Sequence, residues 1–240
     1  MPRLPCELST LTPNDDLGTH VADDTRRISI DGVTSASLCD ALATIHDHTA
    51  HILDLISPSG DVLFGRCATL RFFPNRQDHH TAEDRFDDLL DAAADTGNVL
   101  VIGSGGHPDQ AVAGGKKVAR IEAAGFTGLL TDARLRDLEE IADFDIVCYC
   151  SGETVRAAGD DSTPLEVNVP VELDGVGVLP GDWIFADHAG AVIIPDEDLE
   201  AVLDGAREIE RRDADAVARA RASSRPAPQQ DGGQRKKRRR

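Results

Sequence analysis

Long apolar runs, lysine and paired cysteines are all scarce in this sequence of 240 residues. No run approaches the roughly 20 consecutive apolar residues that a membrane-spanning helix requires, so we expect no transmembrane segment. The N-terminal stretch, MPRLPCELSTLTPNDD, lacks the apolar core of a signal peptide. These absences favour a cytoplasmic protein without a membrane partner.

The cysteines number five, and no two of them have the C-x-x-C spacing that is common in metal and redox sites. In a cytoplasmic chain we expect free thiols, because the compartment keeps cysteines reduced. Cys148 and Cys150 flank a tyrosine in the apolar run DIVCYC, which is typical of a strand. Core packing is therefore the favoured role of this pair, with metal or redox chemistry as the alternative.

Lysine is almost confined to the C-terminus. Residues 1–230 contain only Lys116 and Lys117, and they hold 19 basic against 42 acidic residues, a formal charge of -23 in a chain whose net charge is -18. Such charge repels phosphate, so nucleic acid is an unfavourable partner for this part of the chain. An acidic, lysine-poor surface suits a salt-rich cytoplasm, where self-repulsion is screened, and so predicts a halophilic source.

The hydrophobic pattern divides the chain into one body and two polar ends. We predict a polar N-terminal arm over residues 1–28, an α/β domain over 29–221, and a disordered basic tail over 222–240 that ends in QRKKRRR. Hydrophobic residues make up 40% of the chain, enough for one sizeable core. The tail either contacts nucleic acid or is simply solvated.

Helical and strand patterns alternate at short spacing in the first half of the body. The predicted helices are 33–48, with Thr34 or Ser35 as the N-cap, then 82–95, 110–124 and 134–144. Strands are predicted at 61–73, 98–106, 126–132 and in DIVCYC. This alternation implies parallel strands joined by helical crossovers.

The second half of the body has a different pattern. Short strands are separated by Asp-Gly, Pro-Gly and His-Ala-Gly turns, and a charged helix over 196–221 follows them. The fold class is therefore mixed α/β, with a parallel strand–helix half and a β-rich hairpin half.

The strongest candidate site follows the predicted strand GLLTD. Asp132, Arg134, Arg136 and Asp137 come directly after it, and ligand sites form at the carboxyl ends of parallel strands. We place Asp137 in the first turn of the next helix, where its carboxylate suits Mg²⁺ or Mn²⁺. Arg136 offers a planar fork to a substrate carboxylate. A surface salt-bridge cluster or a helix cap is the alternative interpretation.

A pair of glycines forms the second candidate site. Gly114 and Gly115 precede Lys116 and Lys117, soon after the glycine-rich end of NVLVIGSGG. Glycines let backbone N–H groups approach an anion closely. The segment is neither a Walker sequence nor G-x-G-x-x-G, and tight packing between a helix and a strand is the alternative to anion binding.

The histidines are interpreted mainly as exposed polar residues. His46, His48 and His51 lie close together in the sequence, but a zinc site would need paired spacing and a third ligand. His107, after the glycine loop, and His188, in the DHAG turn, are candidates to line the site.

Together these motifs resemble the RraA-like family, which includes the 4-hydroxy-4-methyl-2-oxoglutarate and 4-carboxy-4-hydroxy-2-oxoadipate aldolases. The resemblance runs from Val33 to Pro195. The motifs on which it rests are S-x-x-x-C-D-A-L, VLVIGSGG, A-x-x-G-G-K-K-V-A, GFTGLLTDARLRD, VNVPVELDGVGVLPGDWIFAD and GAVIIP. It implies a layered α/β/β domain that assembles as homotrimers or homohexamers, with sites near subunit boundaries.

The resemblance also implies a metal-dependent lyase. Asp137 matches the position that binds a divalent cation, Arg136 the substrate-binding arginine, and Gly114, Gly115, Lys116 and Lys117 the segment whose amides hold a 2-oxo acid. Cleavage of a 4-hydroxy-2-oxo acid would release pyruvate through an enolate that the cation and Arg136 stabilise. Decarboxylation of oxaloacetate yields the same enolate.

Two departures from the family pattern concern this site. Ala133 replaces the usual glycine of D-G-x-x-R-D, which would strain the turn if a positive φ is required. Lys116 and Lys117 stand where apolar or acidic residues are expected, which affects substrate identity. The alternative function is a non-catalytic regulator that binds a ribonuclease or another protein, but the presence of Arg136 and Asp137 favours the enzyme.

Overall fold

The computed structural model describes residues 28–76, 85–159 and 161–223, and the fold is mixed α/β as predicted. The helices are α1 (Ser35–Leu42), α2 (Phe86–Ala93), α3 (Gly115–Ala123), α4 (Leu138–Ile141) and α5 (Leu199–Ser223). The strands of the first half are β1 (His51–Ile52), β2 (Leu63–Pro74), β3 (Val99–Gly103), β4 (Ala111–Ala113), β5 (Gly128–Thr131), β6 (Arg134–Leu135) and β7 (Val147–Tyr149). The strands of the second half are β8 (Ser162–Val167), β9 (Val171–Leu173), β10 (Val176–Val178), β11 (Trp183–Asp187) and β12 (Gly190–Ile194).

The main sheet has the order β1-β12-β11-β2-β3-β5-β7, with β8 also paired to β2. β2 is long enough to serve three neighbours. Residues 63–66 pair antiparallel with β11, residues 67–71 pair parallel with β3, and residues 70–74 pair antiparallel with β8. The pairs β3–β5 and β5–β7 are also parallel, which confirms the predicted parallel half.

Alternate side chains of the parallel strands enter two different layers of the core, because successive residues of a strand face opposite ways. Leu70 and Leu100 pack in a buried cluster with side chains of α2, α3 and α4. Cys67 and Val101 face the other way and pack against the β9–β10 hairpin. Helices, sheet and hairpin therefore form three layers, which is the α/β/β arrangement that the resemblance implies.

Helices α1 and α5 cover the β11–β12 end of the sheet. Leu38 of α1 and Val202 of α5 are buried in one cluster with Phe185. Thr34 is the N-cap of α1, and its hydroxyl accepts a hydrogen bond from the Ser37 amide at 3.2 Å in a capping box. The helix ends at Leu42, well before the predicted limit at residue 48.

Two of the predicted helices are partly wrong. In the predicted helix 110–124, residues 111–113 form β4 and the helix starts only at Gly115. In the predicted helix 134–144, residues 134–135 form β6, which pairs in parallel with β4, and α4 is a single turn. Alanine favours helices, but these segments form strands because strand pairing satisfies their backbone N–H and C=O groups. A buried segment cannot leave those groups without hydrogen-bond partners.

The predicted polar arm and basic tail lie almost entirely outside the described residues, so that division of the chain stays a prediction; residues 222 and 223 belong to α5. No helix in the described ranges is long and apolar enough to cross a membrane. Cys39, Cys67, Cys148 and Cys150 are free thiols. Burial raises the pKa of both Cys67 and Cys148 to about 12, as befits core residues.

Candidate functional site

Arg136 and Asp137 lie at the junction of β6 and α4. β6 runs beside β4, and the Arg136 amide extends this pairing by donating to the Ala113 carbonyl at 3.0 Å. The next residue after Ala113 is Gly114, the N-cap of α3. The short parallel pair therefore brings the two candidate segments, which the sequence separates by about 20 residues, side by side.

Asp137 is the N-cap of α4 and not a residue of its first turn, which corrects the expectation from the sequence. Its backbone is left-handed, with φ 62° and ψ 39°, a conformation that aspartate tolerates better than most residues. Its carbonyl accepts from the Glu140 and Ile141 amides at 3.1 and 3.0 Å and so starts the helix. Its carboxylate makes no cap bond to α4, and Oδ2 instead accepts from the Gly115 amide at 3.2 Å.

Gly114 leaves the space that both functional side chains occupy. A methyl group added at Gly114 would lie 2.8 Å from Asp137 Oδ2 and 3.2 Å from Arg136 Nε. The φ of Gly114 is -137°, which any residue adopts, so glycine is needed here for space and not for backbone freedom. A methyl group at Gly115 would overlap the Glu140 carboxylate.

The first turn of α3 keeps one amide open. The Gly115 amide donates to Asp137, and the Lys117 amide donates to the Gly114 carbonyl at 2.9 Å. The Lys116 amide has no acceptor among the residues that the structure describes, and it lies at the positive end of the helix dipole. The Lys117 ammonium lies 4.6 Å from the centre of the Phe86 ring, so this predicted substrate-binding side chain is directed towards α2.

Arg136 and Asp137 line an open cleft of about 610 Å³ together with Glu153, Thr154 and Val155. Both side chains are exposed. Throughout the described part of the chain, no carboxylate or carbonyl pairs with the Arg136 guanidinium. The donor fork of Arg136 is therefore available to a ligand in the cleft.

The other polar residues after β5 have structural contacts. Asp132 accepts from the Ser104 amide and hydroxyl, both at 2.8 Å, which ties the end of β5 to the end of β3. Burial raises the pKa of Asp132 in spite of these bonds. Arg134 donates to the Glu153 carbonyl at 3.3 Å. Ala133 is buried without a positive φ, so the absence of glycine there causes no backbone strain.

A second cleft, of about 330 Å³, is lined by His46, His48, His51 and Cys39 among others. Cys39 Sγ lies 3.6 Å from His51 Nδ1, and His46 Nε2 lies 2.7 Å from an Asp198 carboxylate oxygen. In the described ranges, no three His, Cys, Asp or Glu side chains converge where they could hold a metal ion. The polar contacts of His46 and His51 in these ranges are therefore pairwise.

Glu153, Thr154 and Val155 also line the main cleft, although no sequence motif pointed to them. They follow β7, a parallel strand, and the rule that ligand sites form at the carboxyl ends of such strands could have singled them out. His107 and His188, which the sequence analysis considered, do not line this cleft.

A comparison with protein-family models shows which known proteins this chain is related to. The model of the RraA-like family, described as Aldolase/RraA, matches residues 35–193, which is more than half of the chain. The chain belongs to the RraA-like family. The matched region begins with α1 and ends within β12, so it contains both segments of the site and the loop after β7.

Two relatives of this RraA-like chain are provisionally named 4-hydroxy-4-methyl-2-oxoglutarate aldolases. The one from Halalkalibacterium halodurans is 33% identical over 131 residues, which cover 55% of this chain and 60% of the relative, less than two thirds of its length. The one from Burkholderia mallei is 29% identical over 170 residues, which cover 69% of this chain and 98% of the relative.

A solved structure places the same fold in a second functional context. RraAS2 from Streptomyces coelicolor, described as an unusual member of the RNase ES inhibitor RraA protein family, superposes with a TM-score of 0.69 at 28% identity. The superposition covers 78% of this chain and 93% of RraAS2. The relatives of this chain thus include proteins named as aldolases and a member of an RNase inhibitor family.

Proposed function

We propose that this RraA-like protein is a divalent-metal-dependent lyase, an aldolase that cleaves a 4-hydroxy-2-oxo acid such as 4-hydroxy-4-methyl-2-oxoglutarate to pyruvate. The observation that carries the proposal is that the Arg136 guanidinium, which has no acceptor among the described residues, lies beside the Asp137 carboxylate in one open cleft. The carboxylate of a 2-oxo acid requires a cation that it can reach, and a metal ion requires an accessible carboxylate.

The donor set fits a hard divalent cation such as Mg²⁺ or Mn²⁺. Asp137 uses one carboxylate oxygen for the Gly115 amide and keeps the other for an ion and its waters. Mg²⁺ is commonly held by one or two carboxylates and several waters, so no larger cluster of protein ligands is needed. When bound, such an ion supplies Lewis-acid polarisation of the 2-oxo group.

The remaining chemistry belongs to the chain itself. Arg136 would bind the substrate through two parallel N–H donors and hold the 2-oxo acid in one orientation. A water in the cleft would take the proton of the 4-hydroxyl, so that a carbonyl forms at C4 as the C3–C4 bond breaks. The electron pair of that bond moves towards the 2-oxo oxygen, the guanidinium stabilises the resulting enolate charge, and protonation at C3 gives pyruvate. The Lys116 amide, which has no acceptor among the described residues and lies at the positive end of α3, would donate a hydrogen bond to a substrate oxygen.

The same site would decarboxylate oxaloacetate. Loss of CO₂ leaves the electron pair of the broken C–C bond on the carbon next to the 2-oxo group, which gives the enolate of pyruvate. Protonation of that enolate by water completes the reaction, so no oxidant or further reactant is required. Both reactions depend on stabilising one and the same anion.

A second candidate function is a non-catalytic regulator that binds a ribonuclease or another protein. The likeness to RraAS2 supports it, and so does Val155, an apolar side chain that is 97% exposed at the edge of the cleft.

We also propose that the chain forms a homotrimer or homohexamer, which light scattering after gel filtration would measure.

The two functions are separated by an oxaloacetate decarboxylation assay in high salt with Mg²⁺ or Mn²⁺. We expect pyruvate formation that EDTA stops, that added metal restores, and that Asp137→Ala abolishes. Pyruvate formation no faster than the metal-only control, in a folded oligomeric protein, would favour the regulator.

A further inference from the structure

We infer that Glu153 is a positioning residue that caps α4 in place of Asp137 and so keeps the Asp137 carboxylate available to the cleft. The inference rests on the proposed function only for the role of Asp137. An aspartate at an N-cap usually accepts a hydrogen bond from an amide in the first turn of its own helix. Asp137 makes no such bond.

Glu153 supplies an acceptor for the start of α4 from the loop after β7. Its Oε1 accepts from the Leu138 amide, the first amide of α4, at 3.1 Å. The backbone on either side of Glu153 is paired with Leu135: the Leu135 amide donates to the Gly152 carbonyl, and the Thr154 amide donates to the Leu135 carbonyl, both at 3.0 Å. The capping carboxylate is thus carried by backbone that is held in register with β6.

This division of roles leaves Asp137 free for a contact outside its own helix. Its Oδ2 reaches the Gly115 amide on α3, and its carboxylate borders the cleft beside Arg136. Without the Glu153 carboxylate, the start of α4 loses an acceptor, and Asp137, as the N-cap residue, is the one whose carboxylate can accept from the later amides of the first turn. We expect Asp137 to turn back onto α4, which breaks the Gly115 contact and removes the carboxylate from its place.

The test compares Glu153→Ala with Glu153→Gln, whose side-chain oxygen still accepts a hydrogen bond but carries no charge. Glu139→Ala is the matched control, because Glu139 is an exposed carboxylate in the first turn of the same helix. Two quantities are measured on each protein: the dissociation constant of Mn²⁺ by electron paramagnetic resonance, and the hydrogen-exchange rate of the Gly115 amide by NMR.

Glu153→Ala should weaken Mn²⁺ binding roughly fivefold, the factor that a helix cap typically carries, and should speed exchange of the Gly115 amide. Glu153→Gln should restore both quantities, and Glu139→Ala should change neither. A simple loss of helix stability would not expose an amide on α3.

Wild-type values for both quantities in Glu153→Ala would overturn the inference. So would a Glu153→Gln protein as impaired as Glu153→Ala, since that result would make the charge decisive and not the cap. If the wild-type protein binds no Mn²⁺, the proposed function fails, and the exchange rate of the Gly115 amide alone tests the positioning role. Slow exchange in the wild type and in Glu153→Gln, with fast exchange in Glu153→Ala, would still support that role. Equal exchange rates in all three proteins would overturn it.

Discussion

At the scale of single residues, the guanidinium of Arg136 combines a positive charge with a planar arrangement of hydrogen-bond donors. Its planar fork can form two parallel hydrogen bonds with a carboxylate, whereas lysine offers a point charge on a flexible stem. For Arg136→Lys we expect kcat/KM to fall by roughly tenfold to a hundredfold, about 1.4 to 2.7 kcal/mol of transition-state stabilisation. Steady-state kinetics with oxaloacetate would measure the change, and a kcat/KM within a factor of two of the wild type would argue against a bidentate role.

Gly114 matters because its lack of a side chain leaves room for the side chains of Asp137 and Arg136. In Gly114→Ala, the added methyl group would press on Asp137 Oδ2 from 2.8 Å and displace it. We expect metal-dependent turnover to fall at least tenfold while the melting temperature changes little, because the φ of Gly114 suits alanine.

Gly177→Ala is the matched control for Gly114→Ala, since a methyl group there meets nothing within 4 Å and the φ is not positive. It should leave turnover unchanged. Equal activity of the two alanine variants would show that crowding at Gly114 is unimportant.

The sequence patterns point to Arg136, Asp137, Gly114 and Gly115 as candidates, and the hydrogen bond from the Gly115 amide to Asp137 shows that the two segments lie together. The strand-end rule could have placed Glu153 near the site, but its contact with α4 was not predictable, because a carboxylate that caps a helix 15 residues earlier has no local signature. The packing of Lys117 on Phe86 was not predictable either, since that contact depends on how α2 and α3 lie together.

At the scale of elements, Asp187 joins the β11–β12 hairpin to α1. It accepts from the Ser35 amide at 3.0 Å and from the Ser35 hydroxyl at 2.7 Å. Burial alone would raise the pKa of Asp187, but the bonds from Ser35 and from the Ala189 amide outweigh it and lower the pKa. The ionised carboxylate therefore stabilises the fold above its ordinary pKa of 3.8, and this stability is lost as the pH falls through the lower folded value.

Asp187→Ala should lower the free energy of unfolding by about 2 kcal/mol at pH 7, because buried donors lose their acceptor. The difference from the wild type should shrink at a pH below the folded pKa of Asp187. Urea unfolding at both pH values would measure it, with Asp143→Ala, at an exposed carboxylate of the same type, as the control. A difference that grows on acidification would contradict this account.

The errors of prediction also occur at the scale of elements. The crossover helices and parallel strands follow from hydrophobic spacing, and the structure confirms them. The segment 111–113 was predicted as helix because Ala-Val-Ala suits a helix by itself, and only its pairing with β6 makes it a strand. Such a pairing partner, some 20 residues away, is not encoded in local periodicity.

At the scale of the whole molecule, charge is the dominant feature. The formal charge is -18 for the chain and -23 for residues 1–230, so like charges repel one another in the compact state. Added KCl screens this repulsion. If screening recovers about 2 kcal/mol between 0.1 M and 2 M KCl, the melting temperature should rise by roughly 4 to 8 °C.

A chain lacking residues 231–240 provides the comparison for this salt effect. That segment holds six basic residues and one acidic residue, so its removal takes the net charge from -18 to -23. The shortened chain should show a steeper rise of melting temperature with KCl. Melting temperatures that are independent of salt in both chains would contradict the proposed adaptation to a salt-rich cytoplasm.

The most direct test of the central claim is the release of pyruvate from 4-hydroxy-4-methyl-2-oxoglutarate by the full chain, followed by NMR with Mg²⁺ or Mn²⁺ in 2 M KCl, a concentration on the order of that in a salt-rich cytoplasm. The account predicts metal-dependent release by the wild type and by Asp143→Asn. It predicts a loss of roughly a hundredfold or more in Asp137→Asn, which keeps the shape of the side chain but not its charge. Release at the wild-type rate by Asp137→Asn, or none by the wild type with either metal, would contradict it.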